Sequence, residues 1–595
     1  MSSLKNIFKV NTNILIIFLF LYIILLNLFQ LSQQHWSSML DQDIKIIYNS
    51  LLISSGIEQE YRDHPAYSTF LLLGSFFKFL SLFSDSYTIY EIFKSEAIDE
   101  SFQTLFIIAR ILNSFYVFLV AFILFVILKE LNIKNNLSIS IIFLLLIFQD
   151  TYELLFLIRS EILSVFLILL FYYFLIKFIK EKKIKYSIFS GFFFCLAMLA
   201  KIQVIFLFFT FLISLPFLIS YLNISKINLS YTKNFYLLSL VFLLLFLIFY
   251  IFFQIVLGIA FIKEFDDQRF YFTNNIDLIF LLAFIIFYYL FVKILSKKNI
   301  INASEIMIVI SSILVGYVVC IVFILFLDLI NLVPFNKLNF MRLTNPLEYM
   351  TSFTKKYQTD TNILNSMKHF ILGFGGFLEI NFNKQKEIST ILYMDPRTFF
   401  RTLQVLFFIF LIYFSLKKKN TTKINFLSMS LFVGIFILYL SFNLRETHGY
   451  NIYLFPLYVI ILAIIFNELK NKLIIIFYFC ISIIFISENF VLSNIYTNIF
   501  NREPRVYDIC AYEKIEIIKW KNSENYIENY NKSSFIELVP IPMEWLARYT
   551  QRLVPSERTG NKIKIITEEN KFLKKYCNQI KNEKTQRSIF YKLKP

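Results

Sequence analysis

Long unbroken apolar runs, beginning at 13–31 and recurring as far as 473–491, leave this chain few ways to fold. A run of about eighteen apolar residues is long enough to cross the hydrocarbon of a bilayer as a helix. Inside lipid every backbone N–H and C=O has to find its partner within the protein, so a spanning chain is either helical or a closed barrel. Barrel strands run to about ten residues of alternating polarity. The runs here are longer and do not alternate, so the expectation is an α-helical polytopic membrane protein. Mean hydropathy of +0.64 and 57% hydrophobic residues agree with that. The net charge of +17 does not indicate a nucleic-acid partner. Most lysines stand in short loops between the runs, where they set orientation.

The run at 13–31 follows Lys5 and Lys9. It is too long for a signal-peptide core and has no small-x-small cleavage site after it. It is expected to be an uncleaved first span with its N-terminus in the cytoplasm. The segment 65–83 is apolar but interrupted by Gly74 and Lys78, and an acidic stretch follows at 84–103. If 65–83 crossed the membrane, that acidic stretch would be cytoplasmic and later loops would break the positive-inside rule. It is therefore placed along the outer interface as an amphipathic helix, which keeps 32–103 outside as one first loop. The remaining spans are expected at 104–128, 137–149, 161–179, 186–199, 202–220, 235–261, 277–295, 305–329, 398–416, 424–443, 452–466 and 473–491. That makes about thirteen, and their inner loops carry about twenty Lys and Arg against about four acids.

A long outer loop is expected at 331–397, and residues 494–595 turn charged and polar, reading as a small soluble outer domain of α/β type. Residues 1–493 form the membrane domain. Cys510 and Cys577 are the outer domain's cysteines. A disulfide between them and two separate thiols are both open.

Ionisable groups at membrane depth are costly, so each needs a reason. Arg110 opens the second span, Arg159 and Glu161 start the fourth, Lys201 interrupts 186–220, and Arg445, Glu446 and His448 form an outer turn. Snorkelling explains any one of these taken singly. All share one predicted level beside the first loop, and cations gathered there suit an anion such as a lipid phosphate. The first loop carries Asp41, Asp43, Glu58, Glu60 and Asp63, with His35 and His64, two of the four histidines. Asp150 and Glu153 add a second acidic pair on that side. No zinc-spaced cluster, phosphate-cradling glycine loop or nucleophile elbow is present. The sequence demands no cofactor, although the first-loop carboxylates could hold a divalent metal ion.

The arrangement resembles the GT-C superfamily of polyprenyl-phosphate-dependent glycosyltransferases, with a layout similar to the branch of protein O-mannosyltransferases and the transferases that add aminoarabinose to lipid A. Five features carry the resemblance: Asp41-Gln42-Asp43 and Asp63-His64-Pro65 in the first loop, Ala109-Arg110, Arg159-Ser160-Glu161, and the stretch from Gly191 to Lys201. The acidic pair is Asp-x-Asp where the O-mannosyl branch has adjacent Asp-Glu, so both aspartates stay candidates. No doubled Trp is present, which argues against transfer of a whole oligosaccharide.

The resemblance implies a GT-C-like bundle that moves one sugar, with inversion, from a polyprenyl-phosphate-linked donor to a lipid, glycan or protein acceptor. The setting is the outer face of a bacterial inner (cell) membrane. Asp43 or Asp41 would be the catalytic base. Arg110, Arg159, Lys201, Arg445 and His448 would hold the donor phosphate. Asp150, Glu161, Asp63 and His64 would serve the acceptor side. Two other classes compete. A polymerase or ligase of surface polysaccharide would share the substrates, but would concentrate arginines in its long loop. A lipid or solute transporter would show internal repeats and charges at mid-depth.

Overall fold

The computed structural model describes residues 43–54, 66–83, 98–146, 157–222, 303–344 apart from 331 and 336, 427–435 and 451–468, with isolated positions at 20–25, 56, 59, 286–294 and 346. Among them there is no strand. The helices used below are α1 (Asp43–Ser54), α2 (Tyr67–Ser81), α3 (Ile98–Glu130), α4 (Asn135–Leu146), α5 (Ser160–Glu181), α6 (Ile184–Ala200), α7 (Ile205–Tyr221), α8 (Ala303–Leu329), α9 (Lys337–Thr344) and α10 (Phe455–Glu468). Four stretches are long and apolar enough to cross a membrane: Thr104–Glu130, Ser160–Glu181, Ile202–Tyr221 and Val309–Leu329. The chain is a helical membrane protein. The expected spans at 235–261, 398–416 and 473–491 and the soluble domain at 494–595 lie outside the described residues.

Lipid offers no hydrophobic drive for helices to associate, so close packing has to hold them together. α6 is the centre of that packing, lying against α5 on one side and α8 on the other. Gly191 of α6 and Gly316 of α8 make the second contact close. A Cβ on Gly191 would run into the Ile313 carbonyl, and one on Gly316 into that of Ile188. Rings fill the space between α5, α6 and α7, with Phe194 stacked on Phe208 at 4.0 Å and Tyr172 on Phe211 at 4.1 Å. Each such pair adds about 0.5–1.5 kcal/mol beyond the area it covers.

The α5–α6 hairpin turns at Lys182, whose left-handed backbone (φ 58°) lets its N–H reach the Phe178 carbonyl at 2.8 Å. α6 ends where Lys201 is extended (ψ 119°), and after a short 3-10 turn the chain continues as α7. The break expected at Lys201 is therefore present.

The first loop, expected as an acidic connection, contains a helix. α1 packs against α2, and a Cβ on Gly74 would meet the Ser50 carbonyl. Gly56 (φ 75°) turns the chain after α1. α2 has 15 residues, about 22 Å of helix, against about 30 Å of hydrocarbon. Ser68 Oγ donates to the Leu196 carbonyl (2.7 Å) and Tyr67 Oη to the Pro334 carbonyl (2.9 Å), so α2 begins at the ends of α6 and α8. Leu72, Phe79, Leu82 and Phe83 are exposed on and just beyond it.

Candidate functional site

Two ends of the bundle can be told apart by their contacts. At the lysine end, α3 and α5 finish and α6 begins. At the acidic-loop end, α5 and α7 begin, α6 and α8 finish, and α1, α2 and α9 pack. The candidate residues that are described collect at this second end.

Glu161 stands in the first turn of α5 and Lys201 at the junction of α6 with α7. Their side chains meet at 2.7 Å, with exposures of 5% and 2%. Ionised groups this far from water are tolerated when they are paired. Arg159, part-buried, precedes α5 in extended conformation, and its guanidinium acts on the same carboxylate. Ser160 Oγ approaches Glu161 Oε2 at 3.5 Å. On α3, Asn113 Nδ2 donates to the Leu157 carbonyl (2.9 Å), fastening the segment that leads into Arg159. Arg110 is buried on α3 one turn nearer the acidic-loop end, its guanidinium over the Phe106 ring at 5.4 Å. Among the described residues, Lys201 and Arg159 thus act on the Glu161 carboxylate, and Arg110 lies on α3 at the same end of the bundle.

The turn before α10 docks on this group. Ser164 Oγ donates to the Glu161 carbonyl (2.7 Å) and also lies 3.0 Å from Tyr453 Oη. A serine hydroxyl has one proton, so Tyr453 is the donor in the second bond. Tyr453 belongs to the short 3-10 turn Asn451–Tyr453.

Asp43 opens α1, beside the α2 hairpin partner. Asp41, Asp63, His64, Asp150, Arg445 and His448 lie outside the described residues. The structure therefore brings together Glu161, Lys201 and Arg159, with Arg110 buried on α3 at the same end. Among the described residues no group of three or more His, Cys, Asp and Glu is placed to hold a metal.

Sequence reasoning missed Asn113, Ser164 and Tyr453, which position the charged group, and Gln59 and Asn339, which join the first loop to α9. Each is a neutral polar residue in ordinary surroundings, and no spacing marks it. Arg342 falls within the expected long loop at 331–397, and nothing in its sequence surroundings marks its burial.

No protein-family model, curated protein or solved structure matches the chain.

Proposed function

We propose that this protein is a membrane glycosyltransferase that moves a single sugar from a polyprenyl-phosphate donor to an acceptor hydroxyl at the acidic-loop end. That end would face the periplasm or cell exterior. The observation that carries the reading is the buried Lys201–Glu161 pair with the part-buried Arg159 beside it and the buried Arg110 on α3, all at the end of an apolar bundle where the helix that Asp43 opens also packs. Such a group suits a phosphate presented from the bilayer, since arginine forks match phosphate oxygens and the low dielectric strengthens each contact.

In the reaction, the acceptor oxygen attacks the anomeric carbon while the bond from that carbon to the phosphate oxygen breaks, inverting the centre. The acceptor proton passes to a first-loop carboxylate, Asp43 or Asp41. The electron pair leaves on the polyprenyl phosphate, whose growing charge the arginines stabilise. Lys201 is engaged by Glu161 at 2.7 Å. The arginine forks are proposed as the direct phosphate contacts because they match phosphate oxygens, and the Lys201–Glu161 pair as what holds the start of α5 in place. Arg445 and His448 are proposed as further phosphate ligands, and Asp150, Asp63 and His64 as acceptor-side groups. A divalent ion on the first-loop carboxylates is proposed alongside, and chelation tests it. The full architecture proposed is about thirteen spans with a soluble α/β outer domain.

The test is turnover of radiolabelled polyprenyl-phosphate monosaccharides by purified protein, comparing wild type with Asp43→Asn and Asp41→Asn. Loss of turnover in one folded variant names the base. If no donor on a broad panel is consumed, or both variants keep full activity, the transferase reading fails and a polysaccharide polymerase or a transporter takes its place.

A further inference from the structure

A second buried polar structure lies at the acidic-loop end. Gln59, Asn339 and Arg342 are each no more than 2% exposed. Arg342 Nη1 donates to Asn339 Oδ1 (3.0 Å), and Asn339 Nδ2 donates to Gln59 Oε1 (3.2 Å), across 280 residues of sequence. Gln59 lies in the connection between α1, which Asp43 opens, and α2, which follows Asp63-His64-Pro65. Asn339 and Arg342 belong to α9.

This chain of bonds has a direction. A guanidinium carries donors and no acceptor, so Asn339 has to turn its oxygen toward Arg342 and its NH2 toward Gln59. Gln59 then has to present its oxygen to Asn339, which leaves its Nε2 as a donor on the far side. The rotation of a first-loop amide is thereby dictated by an arginine in the segment after α8.

That segment is a firm mount. Asp328 Oδ1 accepts from the Phe335 N–H (2.9 Å), and Tyr317 Oη donates to the Leu343 carbonyl (2.9 Å), tying both of its ends to α8. Tyr67 adds its bond to the Pro334 carbonyl and an edge-on contact with the Phe335 ring at 5.1 Å. These apolar and backbone ties already join α2 to the mount. A buried polar chain beside them costs desolvation that an apolar joint avoids. What it adds is orientation.

We propose that Asn339 is a positioning residue: by passing the donor polarity of Arg342 to Gln59, it sets the register of the first loop, and with it the loop's carboxylates, against α8 and α9. The catalytic half of this statement rests on the transferase reading, and the register half does not.

Two variants test it. Asn339→Asp keeps an oxygen for Arg342 but has no proton for Gln59 Oε1, so the Gln59 amide has to reverse while the fold keeps its arginine partner. Asn339→Leu removes the chain altogether. Asn339→Asp is expected to melt at or above the wild-type Tm, yet to lose about tenfold or more in kcat for transfer with donor KM unchanged, as a small misplacement of reacting groups does. Wild-type kcat in that variant overturns the proposal. So does a loss of activity that merely follows Tm across both variants, because that is the mark of a structural joint. If wild-type protein consumes no donor, the transferase reading has failed by itself, and hydrogen–deuterium exchange decides the register. Faster exchange at 55–66 in Asn339→Asp, with α5 and α6 unchanged, supports it, and unchanged exchange there refutes it.

Discussion

α5 carries charge at both of its ends, and the two ends are built in opposite ways. At the lysine end, Glu130 of α3 is held by Lys177 and Lys180, each at 2.8 Å, and Glu181 takes Lys177 (3.4 Å), Lys183 (3.1 Å) and the Tyr186 hydroxyl (3.0 Å). These groups are part-exposed, with Glu130 at 19% and Lys183 at 57%. At the acidic-loop end Glu161 meets Lys201 out of reach of water. The first arrangement is redundant and screened, so it fastens α3 to α5 and anchors the bundle at a wet boundary. The second is dry, so each charge there matters by itself. A site meant to hold an anion needs the second kind of place.

The largest effect that would sharpen this contrast comes from leaving one buried charge alone. Glu161→Gln or Lys201→Met is expected to cost about 3–5 kcal/mol, read as a fall in Tm of the detergent-solubilised protein. The double variant should recover most of that loss. Singles that melt within about 1 kcal/mol of wild type would put the two ends in one class.

Next in size is the crossing that carries α6. Gly191→Ala drives a methyl into the Ile313 carbonyl, and overpacking of this sort costs about 1–3 kcal/mol. It should lower stability without changing salt dependence, which separates packing from charge. Tyr453→Phe removes the donor to Ser164 and is expected to cost about 0.5–1.5 kcal/mol. If the turn before α10 serves the anion group, this variant should weaken donor binding more than its Tm implies.

The smallest effect belongs to the lysine end. Glu130→Gln should cost about 0.2–1 kcal/mol, shrinking further in high salt. An effect as large as that of Glu161→Gln, and insensitive to salt, would break the comparison. The hydrogen bond from Lys183 to Glu181 holds the lysine above its usual range. A raised lysine keeps its contribution at every pH below its ordinary value, about 10.5, and loses it only as pH climbs through the raised one. A melting series from pH 6 to 9 should therefore find no titration attributable to Lys183.

The helical membrane character was decided by the sequence, because in lipid a backbone without water has to bond to itself, and apolar runs of this length leave no other solution. The same physics marked the ends of α5, α6, α7 and α8 to within a few residues and singled out Arg110, Arg159, Glu161 and Lys201, since charge beside hydrocarbon is conspicuous in any pattern. Which of these charges touch was not legible. Lys201 reads as a free cation until the α5–α6 hairpin returns it to Glu161, and that return depends on helix lengths and on the Gly191–Gly316 crossing. α1 was hidden because it runs for only 12 residues, too short to cross a bilayer, inside a stretch otherwise read as one acidic loop, and it buries Ile46, Ile47, Leu51 and Leu52 where it packs on α2. Neutral groups such as Tyr453, Gln59 and Asn339 carry no periodic or compositional signal. They acquire roles through partners up to 280 residues away, and such pairings exist only once tertiary packing has closed around them and removed water as the competing partner.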